Sequence, residues 1–276
     1  MNKPVETQAT TLNGAQAVVE MLRAHGVEVV FGLCGDTSLP LYDAFRSSSL
    51  KHILTRDERH AAYMADGYAR VTGKVGVCEG PSGGGATYIL PGLVEANESS
   101  IPILAINTDI SVSSRGRFTL TELDQGLLFK PLTKWNAVLN RAADIPRVFR
   151  QAFEEMTSGR AGATHIALPF DVQTAPVEGG DVWGDPSLGT YPSRRVAPDP
   201  DMVELAARLL RSARNPLFIC GGGVVISRAE QELSELAEKV GAAVATTISG
   251  KGSIDERCAQ SVGVVGSNGG TPETRA

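Results

Sequence analysis

The chain alternates between stretches in which apolar residues recur at helical spacing and short runs that are continuously apolar. Residues 14–25 place Val18 and Leu22 at helical spacing, and Gly26, a residue type that commonly ends helices, follows them. Short apolar runs bounded by loop residues are typical of buried strands. The predicted strands are VEVVFG, HILT, VGVCE, IPILAINT and ATHIALP, and the predicted helices include LPLYDAFR, residues 56–73, ATYILPGLVEAN and a helix that starts at Asp144.

This alternation predicts an α/β fold, in which a doubly wound parallel sheet carries helices on both faces. We assign residues 1–175 to this first domain. Residues 176–198 are rich in proline and glycine and are predicted to form an interdomain linker. Residues 199–276 begin a second α/β domain with two clear strands, PLFIC and AAVATT, separated by a glycine loop, GGGVVIS, and a helix. Two strands are too few for an independent domain of this kind, so we expect the second domain to be incomplete.

The composition is that of an ordinary globular protein, with 42% hydrophobic and 21% charged residues among 276. A net charge of −5 argues against nucleic acid or an anionic membrane as the main partner. No apolar run approaches the roughly 20 residues of a membrane span, and the first residues, MNKPVETQATT, lack the apolar segment of a signal peptide. The four widely spaced cysteines match neither a disulfide framework nor a zinc site. We therefore expect a cytoplasmic protein without a nucleic-acid or membrane partner.

The glycine loop GPSGG, residues 80–84, matches the G-x-S-x-G pattern in which a serine is the nucleophile of a hydrolase. The nucleophile here would be Ser82. A serine hydroxyl needs a general base, and the one histidine that follows, His165, lies within an apolar strand pattern. Neither GGGATY, from Gly83, nor GGGVVI, from Gly221, has the third small residue of a dinucleotide-binding fingerprint, because Tyr88 and Ile226 stand there. Each loop is either a tight strand-to-helix turn or a close approach of the backbone to a cofactor.

Glu58 lies in RDERHAAYMADGYAR, in the first turn of a predicted helix. An acidic residue there has a structural explanation, because the helix macrodipole favours negative charge at this end by about 0.3–1 kcal/mol. A catalytic role is the alternative, and the residue pattern alone leaves it open.

Several segments share their order and residues with one enzyme family. These segments are VVFGLCGDTSLPLYDAF, RDERHAAYMADGYARVTGKVGVC, PSGGGATYILPGLVEAN, IPILAINTD, LTELDQGLLFKPLTKWN, HIALPFDVQ and, after the linker, NPLFICGGGVVIS and GAAVATTISGKG. Together they resemble the thiamine diphosphate-dependent enzymes of the acetolactate synthase and pyruvate decarboxylase type. The resemblance implies that the first domain binds the pyrimidine of the cofactor and that the second is the start of the central domain.

By this resemblance, Glu58 corresponds to the activating glutamate of the family. That glutamate hydrogen-bonds the aminopyrimidine ring and favours its imino tautomer, whose exocyclic nitrogen removes the thiazolium C2 proton before attack on a 2-keto acid. Some members bind FAD in the central domain, and the corresponding residues here are Gly221, Gly222, Gly223 and Arg228. The residues implied to border the pyrimidine are Gly32, Cys34, Gly35, Ser82, Gly83, Gly84, Gly85 and Thr87.

The chain also departs from the family pattern. Cys34 replaces a proline, and the Phe-Gln-Glu triplet appears as residues 120–122, Leu-Thr-Glu, which leaves the keto acid undefined. Family members hold the diphosphate and Mg²⁺ on a third domain, marked by Gly-Asp-Gly and Asn-Asn, and this chain has neither motif. We therefore expect no metal ligand on this chain.

The resemblance implies an active site shared between subunits. We expect the chain to be either a fragment of a longer polypeptide or half of a split enzyme, and to work in a homo-oligomer or with a second chain that supplies the diphosphate site. A regulatory or assembly subunit that keeps the fold without catalysis is one alternative, and the Ser82 hydrolase is another.

Overall fold

The computed structural model describes residues 11–266 and 269–270, and the chain divides into two compact units between Ser193 and Arg194. The segment in which a signal peptide would lie falls almost entirely outside the described residues, as do the last residues of the predicted second domain. Within the described residues, no helix combines the length and the apolar character needed to cross a lipid bilayer.

The first unit is built on a parallel sheet. Its strands are β1 (Thr11–Asn13), β2 (Val29–Gly32), β3 (Lys51–Leu54), β4 (Gly76–Gly80), β5 (Ile103–Asp109), β6 (Trp135–Val138), β7 (Thr164–Pro169) and β8 (Pro176–Glu178). Six of them form one sheet in the order β3-β2-β4-β5-β7-β6, with every neighbouring pair parallel, while β1 and β8 pair antiparallel beside it. The predicted α/β fold with a doubly wound parallel sheet is confirmed. The edge strand β6 was not predicted.

Capping residues mark the ends of several helices in the first unit. The side chain of Asn13 accepts from the backbone of Gln16 at the start of the first helix, and Gly73 ends the third in a left-handed conformation. The helices are α1 (Gly14–Ala24), α2 (Leu39–Arg46), α3 (Glu58–Thr72), α4 (Gly84–Tyr88), α5 (Leu90–Glu98), α6 (Gln125–Phe129), α7 (Ile145–Thr157) and α8 (Phe170–Thr174). The prediction of one helix over ATYILPGLVEAN was wrong, because Pro91 lacks the N–H that would continue α4 and so sits in the first turn of α5.

Both faces of the central sheet are covered. Every residue of β4, β5 and β7 is buried, as expected for parallel strands between two layers of helices. The main core joins α1, α2 and α7 to the sheet and includes the fully buried Met21, Leu22, Phe149 and Phe153. Helix α3 packs against β4 and α5 through small residues such as Ala62. This packing fixes the start of α3 beside the sheet.

The segment 176–198, predicted to be a linker, belongs largely to the first unit. It contributes β8, and the buried Tyr191 donates its hydroxyl to the carbonyl of Ala69 in α3 at 2.9 Å. Only residues from Arg194 onward fall in the second unit.

The second unit contains a smaller parallel sheet in the order β11-β10-β9, formed by β9 (Leu217–Cys220), β10 (Ala243–Thr246) and β11 (Ser261–Val264). Its helices are α9 (Pro200–Ser212), α10 (Gly222–Ser227) and α11 (Glu230–Val240). Two sequence predictions were wrong here. The stretch predicted as a loop forms α10, and a third strand, β11, is present; its short, glycine-containing sequence is only partly buried, which explains its weak pattern.

Candidate active site

The first unit has a crevice where the strand order reverses. Successive crossovers run from β2 to β3 in one direction and from β4 through β5 in the other, so β2 and β4 flank the switch point. In open α/β sheets, ligands bind outside the carboxyl ends of the strands at such a point. The loop after β2 meets the loop after β4 here, and a Cβ on Gly35 would lie only 2.5 Å from Cβ of Pro81.

Glu58 begins α3 and is buried, with 9% of its surface exposed. It follows β3, and Asp57 caps the helix by accepting from the backbone N–H of Arg59. The Glu58 side chain runs along the loop after β4: a Cβ on Gly85 would lie 3.1 Å from its Oε1, and a Cβ on Gly80 would lie 3.4 Å from its Cγ. Among the described residues, nothing hydrogen-bonds this carboxylate, so it is a buried acceptor that is available to a ligand.

The glycines after β4 have different roles. Gly83 has φ +64°, and a Cβ there would lie 2.7 Å from Cβ of Thr121. A Cβ on Gly85 would lie 2.6 Å from the ring of Pro81. A Cβ on Gly84 would have nothing within 4 Å, so this glycine faces open space. Close packing therefore requires glycine at two of the three positions.

The remaining residues predicted to border a pyrimidine lie around the same crevice. The exposed Cys34 thiol contacts the carbonyl of Gly35, and Thr87 donates to the carbonyl of Gly84 at 2.8 Å. Gly32 ends β2 with no room for a side chain, because a Cβ would lie 2.7 Å from Oε2 of Glu79.

Glu79 is a functional candidate that the sequence predictions missed. It lies in β4 with no exposed surface, and its carboxyl oxygens are 2.6 Å from Oγ of Ser38 and 2.8 Å from the hydroxyl of Tyr42. Burial raises the pKa of Glu79 to about 8, the hydrogen bonds from Ser38 and Tyr42 oppose this rise, and the charge of Glu58 adds to it. A carboxyl group inside an otherwise apolar strand pattern was the available signal.

A series of hydroxyl groups leads from Glu79 to the loop that contains Thr121. Oγ of Ser38 is 3.0 Å from Oγ1 of Thr108, which is 2.8 Å from Oγ1 of Thr37. Thr37 donates to Oγ of Ser82 at 3.2 Å, and Ser82 is 2.7 Å from Oγ1 of Thr121. We call this series the hydroxyl chain; its members are Ser38, Thr108, Thr37, Ser82 and Thr121.

A cavity of about 320 Å³ lies beside the carboxyl end of β5. Arg115 pairs there with the buried Asp109 at 3.2 Å. Glu122 also lines the cavity and accepts from the backbone N–H groups of Gly116 and Thr119, which holds the loop that carries Thr121. The cavity is therefore lined by Glu122, the residue that follows Thr121 at the exposed end of the hydroxyl chain.

The hydrolase alternative lacks its base. Ser82 Oγ is hydrogen-bonded to the hydroxyls of Thr37 and Thr121. His165 is fully buried in β7 and stacks on Phe129, with ring centroids 3.5 Å apart, and burial lowers its pKa to about 3. This histidine packs in the core.

The residues predicted for FAD lie in the second unit. Gly221 lies between β9 and α10, Gly222 and Gly223 begin α10, and a Cβ on Gly222 would lie 3.1 Å from the carbonyl oxygen of Ser249. Arg228 ends α10 in a left-handed conformation. Across the described parts of both units, no cluster of His, Cys, Asp and Glu side chains is arranged to hold a metal ion.

Comparison of the chain with known proteins shows which family contains such domains. Residues 12–128 match the sequence profile of the N-terminal TPP binding domain of thiamine pyrophosphate enzymes, and residues 203–276 match that of their central domain. The chain is 40% identical over 265 residues to a probable acetolactate synthase large subunit of Methanococcus aeolicus, covering 95% of this chain and 44% of the relative. It is also 40% identical over 260 residues to the corresponding Methanocaldococcus jannaschii protein and 38% identical over 264 residues to an acetolactate synthase of Arthrospira platensis.

These alignments cover 94% and 92% of this chain, and 44% and 45% of the respective relatives. The chain thus spans less than half the length of the relatives that it matches. Both of its units correspond to domains of one family in the same order along the chain. The chain therefore belongs to the thiamine pyrophosphate-dependent enzymes, of which it contains the N-terminal domain and central-domain sequence.

Proposed function

We propose that this chain is the N-terminal half of a thiamine diphosphate-dependent 2-keto acid decarboxylase or carboligase of the acetolactate synthase type, with Glu58 as the activating acid. The observation that carries the proposal is the buried Glu58 carboxylate, which has no hydrogen-bond partner among the described residues and lies under the glycine loop at the switch point. The relatives named acetolactate synthase support the reaction class.

The crevice fits the pyrimidine end of the cofactor. Glu58 offers an acceptor that can share a proton with a ring nitrogen, and Gly83 and Gly85 keep the loop above it free of side chains. When bound, thiamine diphosphate supplies the acidic thiazolium C–H and the electron sink for decarboxylation. The loop after β2, with Gly32, Cys34 and Gly35, forms the opposite wall, and Ser82 and Thr87 complete the border.

The proposal extends to the groups that the full active site needs. Mg²⁺ and the diphosphate would be held by residues on another domain or another chain, so a second copy or a partner chain completes the site. FAD, if the complete protein uses it, would lie near Gly221–Gly223 and Arg228. A cytoplasmic location is part of the same proposal, supported by the composition.

The test is Glu58→Gln in the full polypeptide or complex that contains these residues. The amide keeps the size of the side chain but cannot hold the proton, so deuterium exchange at C2 of bound thiamine diphosphate should slow by about 10²- to 10⁴-fold. Turnover of pyruvate should fall in parallel, while calorimetry still detects cofactor binding.

The matched control is Glu20→Gln in α1, where the exposed carboxylate pairs with Arg23. Its exchange rate should equal that of the unaltered protein. Undiminished exchange in Glu58→Gln with the cofactor bound would contradict the proposed role, and a protein that never binds thiamine diphosphate would leave the regulatory or assembly subunit as the explanation.

A further inference from the structure

We propose that the hydroxyl chain is a proton relay, in which Glu79 stores a proton and exchanges it with the cofactor-facing crevice at Ser82 and Thr121. This inference rests on the proposed function, because the crevice must hold a reaction that releases and consumes protons. The sequence patterns identified Ser82 and the residues around Thr121 as candidates. No sequence pattern grouped them with Glu79.

The first support is continuity. Every step from the Glu79 carboxyl to Thr121 is a hydrogen-bond distance between 2.6 and 3.2 Å. Ser38 and Thr108 have no exposed surface, whereas Thr121 is exposed. The path therefore begins at a buried acid and ends at the surface of the crevice, which is the arrangement that a relay requires.

The second support is the direction of the bonds. Each hydroxyl carries one proton. Thr37 donates its one hydroxyl proton to Ser82 and accepts from the backbone N–H of Ser82. In the hydrogen bond between Thr37 and Thr108, the donor must therefore be Thr108. Thr108 then takes the proton of Ser38.

Ser38 Oγ is placed to donate to Oε1 of Glu79 at 2.6 Å, and it can give its one proton to Thr108 instead only when the carboxyl of Glu79 carries the proton of that contact. All the contacts of the hydroxyl chain are hydrogen bonds at the same time only when Glu79 is protonated, and this agrees with a pKa of about 8. When Glu79 is ionised, Ser38 donates to it, and the chain takes the opposite polarity when Ser82 turns its proton from Thr121 toward Thr37. The two polarities are the two states of a relay.

The transfer is balanced. Glu79 releases its proton to Ser38, each hydroxyl passes its own proton to the next, and Thr121 releases one proton to a basic atom in the crevice. Glu79 becomes a carboxylate, the crevice atom gains one proton, and the reverse sequence reloads the acid. The order of donors is Glu79, Ser38, Thr108, Thr37, Ser82 and Thr121.

The surroundings of Glu79 favour storage of a proton. Tyr42 and Ser38 contact the carboxyl from α2 and from the turn before it, and the charge of Glu58 acts from α3. Cys34 interacts electrostatically with Glu79 from the loop after β2. His52 of β3 packs edge-on against Tyr42 at 4.7 Å, and burial lowers its pKa, so it is neutral at neutral pH. None of these groups is a cation that could stabilise the ionised form of Glu79.

The experiment uses Glu79→Gln, which keeps a hydrogen-bond donor but stores no exchangeable acid proton, and Thr108→Val, which interrupts the hydroxyl chain. Both are introduced into the full protein. The control is Thr164→Val, because Thr164 is also a fully buried strand threonine but contacts the sulfur of Met156 instead of the hydroxyl chain. Calorimetry with thiamine diphosphate establishes that each variant binds the cofactor.

Two readouts test the relay. At neutral pH, the infrared carbonyl band of a protonated carboxyl should be present in the unaltered protein and in Thr164→Val, and absent in Glu79→Gln. Deuterium exchange at C2 of the bound cofactor should slow about tenfold in Glu79→Gln and in Thr108→Val, less than on loss of a direct acid or base. The double variant should be no slower than the slower single variant, because both changes interrupt one path.

Each other outcome overturns the relay. An infrared spectrum that is the same in Glu79→Gln shows that Glu79 holds no proton, and unchanged exchange in Thr108→Val shows that no proton follows the hydroxyl chain. Additive slowing in the double variant shows two separate structural effects. In all three cases the proposed function stands, because the protein still binds thiamine diphosphate; failure of the unaltered protein to bind it overturns both proposals.

Discussion

At the scale of single residues, two carboxyl groups beside the switch point differ in their surroundings. The Glu58 carboxylate has no hydrogen-bond partner among the described residues and lies under the glycine loop. The Glu79 side chain is fully buried in β4 and is hydrogen-bonded to Ser38 and Tyr42. Transfer of an ionised carboxylate into such an interior is costly, so Glu79 is most stable in its neutral form. The two groups therefore suit the two roles that we propose for them: Glu58 acts on a ligand, and Glu79 holds a proton.

The raised pKa of Glu79 predicts how stability depends on pH. Its pKa is about 8 in the folded chain and 4.5 as an ordinary glutamate, so the folded state binds more protons between these values. The contribution of Glu79 to stability is complete below pH 4.5 and is lost as the pH rises through 8. Glu79→Gln should remove this loss, so the midpoint of urea unfolding should decline less from pH 5 to pH 8 than in the unaltered chain. Parallel declines in both proteins would show that Glu79 ionises normally.

At the scale of elements, the turn from β4 into α4 depends on glycine at particular positions. Gly83 combines φ +64° with ψ −116°, and a Cβ there would contact Thr121, whereas Gly84 starts α4 and faces open space. The three glycines of this run therefore differ in whether a larger residue can replace them. The backbone conformation of each glycine and the atoms near it decide this.

Gly83→Ala should lower the free energy of unfolding by about 1–3 kcal/mol, because alanine is strained in this conformation and Thr121 must move. Gly84→Ala is the matched control and should have no cost or a small gain, since alanine favours helix over glycine by up to about 1 kcal/mol. Urea unfolding of both variants measures the difference. Equal losses at the two positions would mean that the turn has another conformation.

The central elements were predictable from sequence because their patterns are local. The runs that became β2, β3, β4, β5 and β7 are apolar and bounded by turn residues, and the helices have clear ends. Strand β6 was missed because an edge strand is only partly buried and its WNAV sequence lacks a continuous apolar run. The hydroxyl chain was beyond prediction, since Thr37 contacts Thr108 across 71 residues and Ser82 contacts Thr121 across 39.

Helix α3 shows the same limit. A glycine inside a helix costs about 1 kcal/mol relative to alanine, so the sequence predicts a packing reason for Gly67. A Cβ on Gly67 would, however, have nothing within 4 Å. Its neighbours Ala62 and Ala65 do pack closely, against positions in α5 and β4. Nothing in the described residues explains the glycine itself.

At the scale of the whole molecule, the two units differ in how they bury apolar side chains. The first unit encloses a large core between the sheet and its helices. In the second unit the core is small, and Leu209 of α9 is 62% exposed and Ile219 of β9 is 64% exposed. The second unit therefore derives its stability from few residues, among them the fully buried Val244.

This contrast can be measured with two substitutions in the second unit. Val244→Ala should lower the free energy of unfolding of that unit by roughly 1–3 kcal/mol, because it removes buried methyl groups. Leu209→Gln replaces an exposed residue with another good helix former and should change it by no more than about 0.5 kcal/mol. Unfolding of the chain in urea, followed by hydrogen exchange in β10, distinguishes them. A larger loss for Leu209→Gln would contradict the exposure of α9.

The contact between Gly35 and Pro81 has a consequence for anyone who wishes to alter the specificity of this crevice. Each of these two loops sets the largest residue that the other can accept, so the effect of a substitution at one depends on what occupies the other. With Pro81 in place, a side chain at position 35 forces one of the two loops to move. A combinatorial library that varies residues 35 and 81 together should therefore contain folded members with a side chain at position 35 that substitution of Gly35 alone does not give.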